Sequence, residues 1–128
     1  MTGVQTCALP ISREFRDHGA VTAYRGIYRP TAPLRILIGA SDDWTPAAHC
    51  EAMAERARDA GEDVTIKVYP GANHSFDSSN PVRYVDSRSN VNKLDRRGAT
   101  TGGDPAAWKD SLDEVRRFFV EKLGGHPG

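Results

Sequence analysis

PLRILIGASDDWTP, residues 33–46, sets a six-residue, mostly aliphatic run before a small-residue turn, two adjacent aspartates and a proline. The run LRILIG, residues 34–39, is bounded by Pro33 and Gly39 and does not alternate with polar residues, which is the pattern of a strand covered on both faces. Beyond it the periodicity changes. Pro46 suits a first helical position, Thr45 the N-cap before it, and Gly61 a left-handed stop. Between them Cys50, Met53, Ala54 and Ala57 recur at i, i+3, i+4 and i+7, while Glu51, Glu55, Arg58 and Asp59 face away. One apolar stripe is thereby predicted to pack on a sheet. A second strand follows in DVTIKVYP, residues 63–70, where Val64, Ile66 and Val68 alternate with Thr65 and Lys67. Strand, helix and strand at crossover length imply parallel pairing with a right-handed connection, so the fold class is α/β.

Outward from this unit the signals weaken. GAVTAYRG, residues 19–26, has the β-branched and aromatic content of a short strand between glycines. A last helix is predicted over about 105–123, with Asp104 and Pro105 opening it and Gly124 closing it. Its expected apolar face is Trp108, Leu112, Val115 and Phe119, with Phe118 and Leu123 beside it. Residues 77–103 are rich in Ser, Asn, Asp, Arg and Gly and show no period of either kind; a loop of that length is usually functional or disordered.

The chain has 128 residues, 17 basic against 17 acidic, and 38% hydrophobic residues, which suits one globular unit rather than a disordered tail. Balanced charge argues against nucleic acid or an anionic membrane surface as partner. The arginines near residues 88–97 alternate with Asp86 and Asp95 and read as solvated loop charge. No apolar run approaches the ~18 residues that span a bilayer. Cys7 and Cys50 are too few for a disulfide framework and lack the CxxC spacing of a zinc or redox site, so a reducing, cytoplasmic setting is the default expectation. The first eleven residues, MTGVQTCALPI, lack the basic region and apolar core of a secretory signal. They match in order the translation of a widely used sequencing-adapter string read from a GTG start. Residues 1–11 are therefore set aside as an adapter-derived scar, leaving residues 12–128 as the portion that folds.

In open parallel sheets, functional groups collect beyond the carboxyl ends of the strands. Two polar segments belong there: GASDDWTP after the first strong strand and YPGANHSF after the second. Asp42 or Asp43 and His74 should emerge on one edge, within hydrogen-bonding reach. A carboxylate on one ring nitrogen fixes the tautomer and stabilises the imidazolium formed when the other nitrogen takes a proton. Each feature has a plainer reading: Asp-rich turns precede helices because carboxylates favour the positive end of the helix dipole, and a lone histidine in a turn is commonly a surface residue. The paired order of strand, Gly-x-x-Asp, helix, strand, Gly-x-x-His is more specific than either. His18, His49 and His126 have no such setting.

From about Gly19 to Leu123 the chain resembles the C-terminal portion of the dienelactone hydrolase family, a branch of the α/β-hydrolase fold with parallel strands and flanking helices. PLRILIGASDDWTPAAHC resembles the family's acid strand and following helix, VYPGANHSFD its histidine loop, and GATTGGDPAAW with the closing helix its usual ending. The resemblance implies Asp42 as triad acid and His74 as triad base, with Asp43 the rival acid. It implies small esters or lactones as substrates and hydrolysis without metal or organic cofactor. The nucleophile of this fold sits on a G-x-S-x-G turn, or its cysteine version, ahead of acid and histidine. These residues contain no such turn. Cys50 lies on the buried stripe of a helix, and Ser41, Ser75 and Ser78 lack the flanking glycines. A truncated, inactive chain is the expectation, its nucleophile encoded upstream and its predicted strand near residues 20–24 left with an aggregation-prone apolar edge. Two other readings stay open: a metal site built on Asp42, Asp43 and His74, and a non-catalytic binding module of flavodoxin-like topology.

Overall fold

The computed structural model describes residues 27–124. Strand β1 (Leu34–Gly39) leads through helix α1 (Ala47–Asp59) to β2 (Val64–Tyr69), and the two strands pair in parallel from Leu34 opposite Val64 to Gly39 opposite Tyr69. This is the predicted α/β unit. An antiparallel pair, β3 (Arg83–Ser89) and β4 (Arg97–Thr101), forms a second small sheet, and helix α2 (Pro105–Lys122) follows. The strand expected in residues 19–26 and the segment set aside at residues 1–11 lie outside the described residues. No described helix is long and apolar enough to cross a membrane.

The β1–β2 sheet separates two layers of packing. Ile36, Ile38 and Val64 meet the α1 stripe of Cys50, Met53, Ala54 and Ala57, with Ile66 and Val68 packed against the same cluster. Leu37 and Tyr69 point the other way, toward Ala72, Phe76, Ala107 and Val115. Burying an aliphatic side chain of this size is worth about 1.5–3 kcal/mol, so Ile36 and Val64, both nearly inaccessible, are major contributors to holding α1 down.

Polar side chains on the α2 side are paired, because that helix turns an acidic row toward the sheet. Lys67 Nζ lies 2.7 Å from Asp110 and 3.1 Å from Glu114, and the Tyr69 hydroxyl donates to Asp110 at 2.8 Å. Arg35 also pairs with Glu114. Burial alone would raise the Glu114 carboxyl, but hydrogen bonds from Lys67, Arg35 and Arg117 outweigh it and hold the group below its ordinary range.

Both helices keep their expected stops, with two corrections. Helix α1 closes through Gly61 at φ +90°, where Gly61 N donates to Arg58 O and Glu62 N to Ala57 O, each at 2.9 Å, a complete Schellman pattern. At its other end Pro46 occupies the N-cap rather than the first helical position, and no side chain caps the helix. The hydroxyl of Thr45, expected to serve there, bonds to Asp42 instead. In α2, Asp104 accepts from Ala107 N at 3.1 Å and Pro105 opens the helix as predicted. The face that packs is Ala107, Ser111 and Glu114, however, whereas Leu112 and Phe119 stay exposed. The acid–base pairs with Arg35 and Lys67 set the helix's rotation, and a stripe read from hydrophobicity alone misses that.

Residues 77–103 hold more regular structure than the sequence suggests. Almost every side chain of β3 is exposed, so no period-two stripe marks it. The ladder is closed instead by a polar turn, in which Asn90 N donates to Arg96 O at 2.9 Å and Arg96 adopts φ +60°.

The two loops beyond β1 and β2 touch through backbone. Ala40 N donates to Tyr69 O at 2.8 Å and Ser41 N to Ala72 O at 2.9 Å. Gly39 permits this approach, since a Cβ there would fall 2.1 Å from Ala72 O. Gly39→Ala is therefore expected to push the loops apart and destabilise the chain by about 1–3 kcal/mol, read as a lower urea midpoint with unchanged slope.

Candidate active site

Because β1 and β2 end in register, the chain leaves both strands at the same edge, and the next few residues of each supply the site. Asp42 turns inward immediately after β1 and is only 6% exposed. Its Oδ1 accepts from the amides of Trp44, at 3.0 Å, and Thr45, at 2.8 Å. Its Oδ2 accepts from the Thr45 hydroxyl at 2.8 Å and faces His74 Nδ1 at 3.0 Å. Every direction in which the carboxylate can accept is thus used by a donor. Burial by itself would raise this carboxyl; the bond from His74, then the Thr45 amide and hydroxyl, then the charge of His74 outweigh it and hold Asp42 below the usual carboxylate range.

His74 reaches Asp42 because its backbone is fixed by the small sheet. Gly102 N donates to His74 O at 3.0 Å, and His74 bridges Thr101 in parallel at the end of β4. The next residue, Ser75, takes φ +63°, an uncommon conformation for a side-chain-bearing residue that turns the chain sharply after the imidazole. An ionised carboxylate only accepts, so the contact assigns the ring proton to Nδ1 and leaves the lone pair on Nε2. Nε2 makes no hydrogen bond among the described residues. The imidazole side chain is 16% exposed. It is largely covered, by the Trp44 ring among others, whose centroid lies 4.8 Å away at a 53° tilt.

Asp43, the rival acid, is drawn away from this pair. Its carboxylate accepts from Thr100 N at 2.8 Å and Thr100 Oγ1 at 3.2 Å, and Lys93 Nζ lies 3.5 Å from it. Adjacent aspartates thus split their work: one faces the imidazole and the other ties the loop to β4. The same divergence removes the ligand set of the metal reading, since no three His, Cys, Asp or Glu side chains among the described residues converge on a point that could hold an ion. Cys50 is 1% exposed within the α1 core, and His49 is exposed on the same helix.

Sequence reasoning passed over the residues that brace the site. Trp44 donates its indole N–H to Ser89 O at 2.9 Å, and the Arg88 guanidinium sits 5.3 Å from the Trp44 ring. Asn90, 1% exposed, donates to Asp43 O at 2.9 Å and to Gly98 O at 2.7 Å while accepting from Asn92 N at 3.0 Å. Asn92 in turn donates to Trp44 O at 2.8 Å. The only signal for Arg88, Asn90 and Asn92 was the length of the polar stretch that holds them.

The sequence profile described as the dienelactone hydrolase family matches residues 20–122. No curated protein sequence matches the chain significantly. Among solved structures, it is similar to Thermogutta terrifontis esterase 2 phosphorylated by paraoxon, at 22% identity and a TM-score of 0.52, covering 80% of this chain and 31% of that one. The propionate-bound form of the thermophilic esterase Est2 from the same planctomycete is similar at 18% identity and a TM-score of 0.53, over 98% of this chain and 42% of that one. At these identities the likeness is one of fold, and the chain spans well under half the length of either structure.

The folded-state pKa of Asp42 lies below its unfolded value, so its contribution to stability is present above the unfolded pKa and is lost as pH falls through the folded one. The urea midpoint should accordingly drop as pH is lowered below about 4, and Asp42→Asn should flatten that dependence. Asn90→Ala should loosen β3–β4 from the acid loop at a cost of about 1–3 kcal/mol, seen as faster amide exchange at Gly98 and Trp44.

Proposed function

Because the chain belongs to the dienelactone hydrolase family, we propose that it is the acid- and base-bearing part of a hydrolase acting on small esters or lactones through a Ser/Cys-His-Asp triad. The observation that carries this reading is the 3.0 Å contact of His74 Nδ1 with the buried Asp42 carboxylate at the carboxyl rim of the sheet. Asp42 orients the ring and balances the charge it acquires; His74 Nε2 is the base. A serine or cysteine from a part of the whole protein outside these 128 residues attacks the substrate carbonyl and gives its proton to Nε2. The protonated ring then returns that proton to the departing alkoxide, leaving an acyl-enzyme. Water repeats the sequence: His74 takes its proton, the carboxylic acid leaves, and the nucleophile is regenerated. Residues 12–128 are the C-terminal portion of that domain, and the first eleven residues take no part.

Two features make the acid assignment chemically economical. Asp42 is held ionised, the state in which it stabilises an imidazolium, and Asp43 is already committed to Thr100 and Lys93. A purely non-catalytic module would leave a buried carboxylate facing an imidazole with no use for the pairing.

The test uses the complete protein with its upstream sequence. Asp42→Asn should lower turnover of an aryl ester by about four orders of magnitude by favouring the wrong ring tautomer, whereas Asp43→Asn should act mainly on stability. Near-normal turnover of Asp42→Asn would move the acid role elsewhere. The 128-residue chain alone should not hydrolyse the same ester; activity that disappears in His74→Ala would refute that.

A further inference from the structure

We propose that Thr45 is a positioning residue of the acid–imidazole pair, its hydroxyl capping the same carboxylate oxygen that holds the ring. Thr45 Oγ1 lies 2.8 Å from Asp42 Oδ2 and 3.2 Å from His74 Nδ1, and that nitrogen lies 3.0 Å from the same Oδ2, so three polar atoms close a triangle. Helix α1 begins two residues later, at Ala47, without any side-chain cap, so the hydroxyl expected from the sequence to serve there is spent on Asp42 instead. The diversion has an electrostatic effect. Oδ1 is already satisfied by two backbone amides, and without Thr45 the charge on Oδ2 would be answered by the imidazole alone. A hydroxyl donating to Oδ2 takes up part of that charge and weakens the pull on the ring proton. The hydroxyl thereby shares Oδ2 with the ring, while the rigid β-branched side chain holds Oδ2 in line with Nδ1.

The other charges near the ring come from the small sheet: Arg88 against Trp44, and Lys93 paired with Asp43. They are unaltered in the variants below, so a difference between variants isolates the hydroxyl. This inference rests on the reading of Asp42 and His74 as acid and base, but its test reads the ring directly. Failure of ester hydrolysis in the whole protein would leave that measurement standing.

The ring nitrogens of His74 are followed by 15N NMR against pH in the 128-residue chain, the signal being assigned by its loss in His74→Gln. Thr45→Val, which keeps shape and removes the hydroxyl, should raise the titration midpoint by about half a pH unit, a roughly threefold gain in proton affinity. Thr45→Ser should restore the original midpoint. An unchanged or lowered midpoint in Thr45→Val, or a serine variant that behaves like valine, overturns the proposal. Should the valine variant not fold, the Thr45 hydroxyl proton of the unaltered chain decides. A slowly exchanging resonance with a nuclear Overhauser contact to the His74 ring supports the role, and a hydroxyl averaged with bulk water refutes it.

Discussion

Parallel pairing of β1 with β2 is the constraint from which the rest of the molecule follows. Gly39 stands opposite Tyr69, so both strands finish at the same level and their next residues must share one rim. A parallel pair cannot be joined by a tight turn, and the crossover it requires is α1, whose small-residue stripe is buried against Ile36, Ile38 and Val64. The glycine at the end of β1 allows backbone to meet backbone just above the sheet, and Ser41 N reaches Ala72 O there. Two loops that are distant in sequence become one surface.

On that surface the chemistry depends on exclusion of water and on completeness of hydrogen bonding. A buried carboxylate is costly unless its charge is answered, and Asp42 has four donors within 3.0 Å. Three of them come from its own turn, and the fourth is the imidazole. The turn fixes the acid, and the acid fixes the ring. Asp43, one residue later, shows how much a single peptide unit changes the outcome: its side chain leaves the rim and holds Thr100.

The small antiparallel sheet belongs to the site as much as the larger parallel one does. It supports the histidine loop through Thr101 and Gly102 and supports the acid loop through Ser89, Asn90, Asn92 and Thr100. Little apolar surface is involved. These contacts are hydrogen bonds to backbone, each modest in net worth, but several of them act on two loops that would otherwise be free to separate. The α2 helix follows a similar logic on its own side, where Asp110 and Glu114 meet Lys67 and Arg35 and decide which face lies inward.

Much of this was legible in the order of residues alone. The aliphatic run 34–39, the 3.6-period stripe of α1, the Gly61 stop and the alternation in 64–68 each reflect a local periodicity that burial imposes, and together they specify an α/β unit with Asp42 or Asp43 and His74 on one edge. What no local pattern carried was the choice between the aspartates, because both sit in the same turn and differ only in what lies across from them. The diversion of Thr45, the strands hidden in residues 77–103 and the inward face of α2 were equally out of reach. Those depend on which partner the fold brings across, such as His74 for Thr45, Thr100 for Asp43 and Arg35 for Glu114, and on polar pairing that has no periodic signature. Periodicity reports which side of an element is apolar; only the folded chain reports which polar group meets which.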